Sequence, residues 1–250
     1  MRVSSILLTI VVLACQPQPV QSPAPASERP WRPASAYAMH RAAFMVDEEP
    51  LATDLALVAG DAPDTSIENL LDRRLSLPTR IVVGILHLPG REARISWYAS
   101  GDLSDQSQAV ADSAVAVLGR APRVERATTL PVMVVGEHYT IASLREAAAR
   151  LQAHVLLVYR PSCKFYQRDP FIGGTQYRAV CTSEAVALDT RSGLLPFSTV
   201  VTREYVTQKQ RGDFDESATW RRAQLQAVVF AVLEVGTRLG TFLSGVPQSP

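Results

Sequence analysis

The chain has 250 residues, 25 Lys and Arg against 24 Asp and Glu, and a formal charge of +1. That balance, with no dense basic stretch, argues against a phosphate-neutralising nucleic-acid surface. The pairs Arg73-Arg74 and Arg221-Arg222 sit in helical contexts and read as solvated faces.

The N-terminus carries an address. It reads MRVSSILLTIVVLAC, with Arg2 ahead of an apolar run from Ile6 to Ala14. The run is too short for a bilayer, which needs roughly 20 apolar residues, but suits a signal-peptide h-region. Val12-Leu13-Ala14-Cys15 fits a lipobox, so residues 1–14 are expected to be removed and Cys15 to be diacylated. Two acyl chains suffice for stable anchoring where one is marginal. The alternative is an ordinary secretory signal with an incidental cysteine. Loss of residues 1–14 removes Arg2 and no acid, leaving 24 residues of each sign. Gln16 follows the cysteine where Asp would favour retention at an inner membrane. The expected location is therefore the outer membrane, facing the periplasm.

Residues 15–35 form a proline-rich tether, because proline fixes φ and removes donors. Residues 36–78 are expected to be an N-terminal helical extension. Within it, Thr65 and Glu68 match a capping box, and Ile67, Leu70, Leu71 and Leu75 line one face until Pro78.

Residues 79–244 read as one α/β domain with some α+β character. TRIVVGILHL (79–88) is a β-branched run typical of a strand covered on both faces, and residues 93–100 form a short second strand. Asp102 to Gly119 is a helix with Ala109, Val110, Ala114, Val117 and Leu118 at core spacing. Val124 to Val135 is extended, with a break or an edge position at Pro131. Thr140 caps a helix that carries Ile141, Leu144, Ala148 and Leu151. Residues 154–160 form a second buried strand. Strands at about 176–189 and 195–208 flank the turn Asp189-Thr190-Arg191-Ser192-Gly193, where Gly193 can take positive φ. A long helix from Ser217 to Leu243 closes the domain, and residues 245–250 are a tail. The central AVVFAVL of that helix is apolar all round and predicts burial between layers, while Glu234 and Arg238 argue against a membrane span. The expectation is a mixed sheet flanked by helices.

Once Cys15 carries lipid, Cys163 and Cys181 remain as a pair in an oxidising compartment. The turn-rich Asp169–Gly174 lies between them, so folding near Ile172 brings the cysteines opposite each other. A disulfide is expected there. Two buried thiols and a metal site are the alternatives, but a metal needs more donors and no histidine stands near either cysteine.

No catalytic residue is assigned and no cofactor is expected. His40, His87, His138 and His154 show no paired spacing, and HExxH, a GxSxG elbow and a phosphate-binding loop are all missing. The acidic clusters Asp47-Glu48-Glu49 and Asp213/Asp215/Glu216 have ordinary readings, the second as a helix N-terminus. Phe165, Tyr166, Arg168, Phe171 and Ile172 around the hairpin tip are residue types that carry binding energy at interfaces. They are expected to contact a partner. The alternative folds Phe171 and Ile172 back onto the sheet.

RIVVGILHL (80–88), AAARLQAHVLLVY (147–159) and SEAVALDTRSGLLPFSTVVT (183–202) together resemble envelope lipoproteins of the curli-secretion and penicillin-binding-protein-activator type. The N-terminal domain of the Tol system's propeller protein shares the pattern. A closer resemblance is to rhombotarget lipoproteins, on the segment Asp189 to Phe197. The resemblance spans about 79–243 and implies a non-catalytic protein that binds a protein partner in envelope assembly or maintenance. The alternatives are an envelope hydrolase or a subunit of a secretion oligomer. Pro161 and Pro170 interrupt the 160–180 segment, which departs from the long alternating strands of a curli pore. Oligomeric state is left open.

Overall fold

A computed structural model describes residues 30–34, 69–88, 102–135 and 139–248 of the chain. The signal 1–14, Cys15, the tether up to residue 29, the Thr65/Glu68 capping box, Asp47–Glu49, His40, His138 and the strand expected at 93–100 lie outside the described residues.

The elements in chain order are β1 (Arg32–Pro33), β2 (Ile81–His87), α1 (Asp102–Leu118), β3 (Val124–Thr129), α2 (Val132–Val135) and α3 (Ile141–Arg150). Then follow β4 (Val155–Arg168), β5 (Gln176–Asp189), β6 (Phe197–Gln208) and α4 (Glu216–Gly245). One sheet has the order β3-β2-β4-β5-β6, with β1 on the edge of β4. β3, β2 and β4 are parallel, whereas β4, β5 and β6 are antiparallel. This is the expected single α/β domain with a mixed sheet and a long C-terminal helix.

Alternate strand residues feed two cores. Ile81, Val83, Ile85, Val155 and Leu157 pack with Val110, Ala114 and Leu118 of α1 and with α4. Leu86, Leu156, Val158 and Leu188 pack with Leu144, Ala147 and Ala148 of α3. The central strands are therefore covered on both faces, which is why they read as continuous apolar runs.

Local chemistry fixes the helix ends. The Thr140 hydroxyl accepts the Ser143 N–H at 3.1 Å, and Ser143 Oγ accepts the Thr140 N–H at 3.0 Å, a reciprocal cap. In the turn after β5, Gly193 takes φ 78° and Asp189 accepts the Ser192 N–H at 2.8 Å. Arg145 of α3 donates to the Thr190 and Arg191 carbonyls at 2.9 and 2.7 Å, tying that turn down. Arg123 donates to the carbonyls of Pro78, Leu243 and Val246 at 2.8, 2.8 and 2.6 Å. It thus joins the end of α4 to the approach to β2. The expected tail takes part too, since Leu77 bridges Gln248.

Four expectations change, besides the helix expected to run up to Pro78, which ends at Asp72. Val124–Val135 is a strand followed by the short helix α2, not one broken strand. Pro131 stands just before that helix, where a missing N–H costs nothing. Pro161 does not end its strand, because β4 runs 14 residues through it. Leu88 N–H donates to the Tyr159 carbonyl, so the backbone of Tyr159, and of Pro161 two residues on, faces the β2 side. β2 has already ended at His87, so the absent donor breaks no ladder bond. The tether also stops short of residue 35: Arg32 and Pro33 pair with Gln167 and Tyr166.

The fourth change concerns α4. It is long and apolar enough to cross a membrane by composition, but it packs lengthwise on β5, β6 and α1. It is not buried all round, since Phe230 stands 42% exposed. Its small residues face inward, and a Cβ at Gly236 would run into Val117 of α1. The helix is an outer layer with one buried stripe.

Candidate functional site

β4 and β5 form a hairpin of 14 residues a side, in register from Val155↔Asp189 to Arg168↔Gln176. Its first part lies between helices. Its outer part reaches beyond β2, with α4 on one face, and ends in the turn 169–175.

Cys163 stands directly opposite Cys181 with Cα atoms 4.1 Å apart, and the two are joined by a disulfide. The Tyr159 and Phe165 carbonyls both face away from β5, so Cys163, in step with them, occupies a non-hydrogen-bonded pair. In such pairs side chains approach most closely. The bond lies beneath α4, with Cys181 buried.

Phe165 corrects an expectation. It is 2% exposed and packs edge-on against Trp220 of α4 at 5.3 Å, as Tyr177 does at 4.9 Å. Strand parity sends Phe165 to the helix face with Cys163, so it is core and cannot meet a partner. The Tyr177 phenol is pushed up to about 12 by burial and by the neighbouring Glu216 carboxylate.

Tyr166 and Arg168 are half-buried on the other side of β4. The Arg168 guanidinium lies 4.8 Å over the Trp31 ring and donates to Gln176 Oε1 at 2.7 Å. Arg32 of β1 bonds Asp169 at 2.6 Å. Arg168 therefore helps hold the N-terminal strand in place. At the tip Gly173 takes φ 103°, and Asp169 accepts the Thr175 hydroxyl at 2.9 Å. Phe171 and Ile172 do not fold back: they are 81% and 92% exposed.

Sequence reasoning missed Phe214, which is 97% exposed in the loop between β6 and α4. Its signal was a lone phenylalanine between two aspartates that serve the helix. Asp215 is the N-cap, accepting the Ala218 N–H at 2.9 Å. Asp213 accepts from Gln210 N–H and the Thr219 hydroxyl, both at 2.8 Å, and from Arg222. Burial pushes the Asp213 carboxyl up, but these donors outweigh it and hold it below the usual carboxylate range. The acidic cluster is thus a helix start, as its composition indicated.

A second group of polar atoms sits where β2 ends. Here the connection through α1 leads to one side of β2 and the connection through α3 to the other, the switch point at which open α/β sheets bind ligands. His87 stacks on Tyr159 at 5.3 Å between ring centres. His87 Nε2, the Tyr159 hydroxyl and Gln106 Oε1 of α1 are buried without a hydrogen-bond partner among the described residues. Burial lowers the His87 pKa to about 4, leaving the ring neutral, and pushes the Tyr159 phenol well up. Among the described residues no three His, Cys, Asp or Glu side chains converge as a metal site.

No protein-family profile and no curated protein matches the chain. Solved structures are similar to it at low scores. A protein from Caulobacter crescentus named as a candidate lipoprotein shares 11% identity, over 65% of this chain and 90% of its own, with a TM-score of 0.38. The PelC dodecamer from Paraburkholderia phytofirmans shares 13%, over 65% and 90%, at 0.31. A hypothetical protein from Chlamydia trachomatis shares 9%, over 66% and 98%, at 0.38. Likenesses this slight carry no argument. They do not single out the curli-secretion, penicillin-binding-protein-activator, Tol or rhombotarget groups.

Proposed function

We propose that the protein is a lipid-anchored envelope component, held by Cys15 in an outer membrane and facing the periplasm. It recognises a protein partner in envelope assembly or maintenance and is not an enzyme. The observation that carries this reading is the open edge of β6. Twelve residues, Phe197–Gln208, pair with β5 on one side, and no described strand pairs on the other. The Thr190 N–H donates to the His154 carbonyl, and Asp189 N–H to that of Leu194. Followed through the register, this alternation turns the N–H and C=O groups of Val200, Thr202, Glu204 and Val206 outward. Val200 and Val206 are also 60% and 44% exposed. Such an edge accepts an added strand.

The test uses proline as an edge-specific probe. Val200→Pro removes an outward N–H and leaves the β5 ladder whole, whereas Val200→Ala keeps that N–H. Native crosslinks to a partner should vanish in the first and persist in the second, with both variants folded. Crosslinks that survive Val200→Pro rule out the edge. For the anchor, Cys15→Ser should abolish detergent partitioning, and a soluble wild-type protein with an unmodified N-terminus would refute it.

An envelope hydrolase has one observation in its favour, the buried His87 Nε2 and Tyr159 hydroxyl, which have no hydrogen-bond partner among the described residues and lie side by side where β2 ends. A His87→Ala variant that keeps full envelope function removes it.

A further inference from the structure

Three large apolar side chains stand in solvent at one end of the sheet. Phe171 and Ile172 occupy the turn between β4 and β5, and Phe214 the loop after β6, whose last residue pairs with the first of β5. The chain leading to Cys15 departs from the same end. β1 runs antiparallel to β4, so moving from Pro33 to Arg32 moves from Tyr166 to Gln167, towards the tip. Trp31 lies under Arg168 and Arg32 holds Asp169, the first residue of the turn. The anchor strand therefore enters the domain beside the exposed aromatics.

We infer that this end of the domain rests on the phospholipid surface in which Cys15 is anchored, with Phe171, Ile172 and Phe214 immersed at the headgroup level. Soluble surfaces rarely gather large apolar side chains without a binding role, and Phe and aliphatic side chains are what membrane-surface segments bury at the headgroup boundary. Lys209 and Arg211 are exposed beside Phe214, placed to meet lipid phosphates. The inference rests on the anchored reading for what brings the domain to a membrane. Fifteen residues, Cys15 to Arg29, separate the lipid from the first described residue. In an extended polyproline form they would span about 45 Å, at about 3.1 Å each, about the length of the 14-residue β4, so tether length alone does not fix which way the domain lies. It holds the tip at an effective concentration in about the millimolar range, where a weak attraction suffices. The strands then stand on the bilayer, and the open edge of β6 faces sideways, free for a partner.

The test uses the mature chain with Cys15→Ser, so that acyl chains do not mask the tip, mixed with vesicles of phosphatidylethanolamine and a minority of phosphatidylglycerol. Co-flotation is compared with that of a chain also carrying Phe171→Ser, Ile172→Ser and Phe214→Ser. Partitioning should fall about tenfold or more, given the apolar area removed, with an unchanged circular dichroism spectrum and melting temperature. Equal partitioning of the two chains overturns the proposal. So does a wild-type tip that ignores vesicles but photo-crosslinks from position 171 to an envelope protein. The mass of the protein from its native envelope separates the two readings. An acylated Cys15 with tip-independent flotation defeats this inference alone, whereas an unmodified Cys15 with tip-dependent flotation defeats the anchor and leaves the tip standing.

Discussion

One strand divides the molecule. From Gln176 to Glu184, β5 alternates between half-buried and buried residues, and from Ala185 to Asp189 every residue is buried. The alternating part belongs to the outer arm, where α4 covers one face and the other meets solvent. The continuous part lies in the inner half, between α4 on one face and the α3 core on the other. The same chain thus changes from a period of two to none as the second layer arrives. The inner half is held by layers on both faces, whereas the arm has one covering helix, with its strands tied laterally by β6, one disulfide and the two-residue β1. The exposed Phe171 and Ile172 stand at the end of that arm.

The sharpest way to break this contrast is Trp220→Ala. It removes the ring against which Phe165 and Tyr177 both pack. The expected loss is about 3–5 kcal/mol. Hydrogen exchange should rise first in the outer amides of β4 and β5 while β2 stays protected. Equal loosening of both halves means the arm is not a separate unit.

Replacing Cys163 and Cys181 together with alanine should cost about 3 kcal/mol in the chain-entropy model, read from urea midpoints. Two freely alkylatable thiols in protein from the periplasm would show that no bond exists to lose.

The inner half should answer to pH through His87, whose pKa is lowered to about 4 by burial. The unfolded chain binds a proton near pH 6.5, where the folded chain does not. Stability is therefore whole above pH 6.5, declines as pH falls towards 4, and is flat below. The full difference is about 3 kcal/mol at most. His87→Phe should remove that part of the decline, and identical pH profiles for the two proteins would refute the assignment.

The smallest effect is expected at the tip. Phe171→Ser with Ile172→Ser should change stability by about 0.5 kcal/mol or less, whereas Phe165→Ser, six residues earlier, should approach the loss at Trp220. Comparable losses at the two places would mean that the tip is packed after all.

Legibility followed the range of the interactions. The apolar runs of β2 and β4, the Thr140 cap, the Gly193 turn and the opposed cysteines are local or periodic features, and each could be read directly. Phe165 was misread because turn residues nearby hid its parity with Cys163, and parity is meaningful only once Pro161 is known not to break the strand. Phe214 was missed because neighbouring aspartates explained the segment without it. α4 looked enclosed because apolar composition says how much a helix can bury, not how many neighbours are present to bury it.

By itself, then, the sequence determined the longer elements, their order and the disulfide-pinned hairpin, but not β1, α2 or the full length of β4, because hydrophobic period, caps and turns act within a few residues. Only the tertiary structure decided which side of β4 receives the proline, where β1 docks and which aromatics reach solvent. Those outcomes depend on where a strand's neighbour ends, and that neighbour lies tens of residues away in the chain.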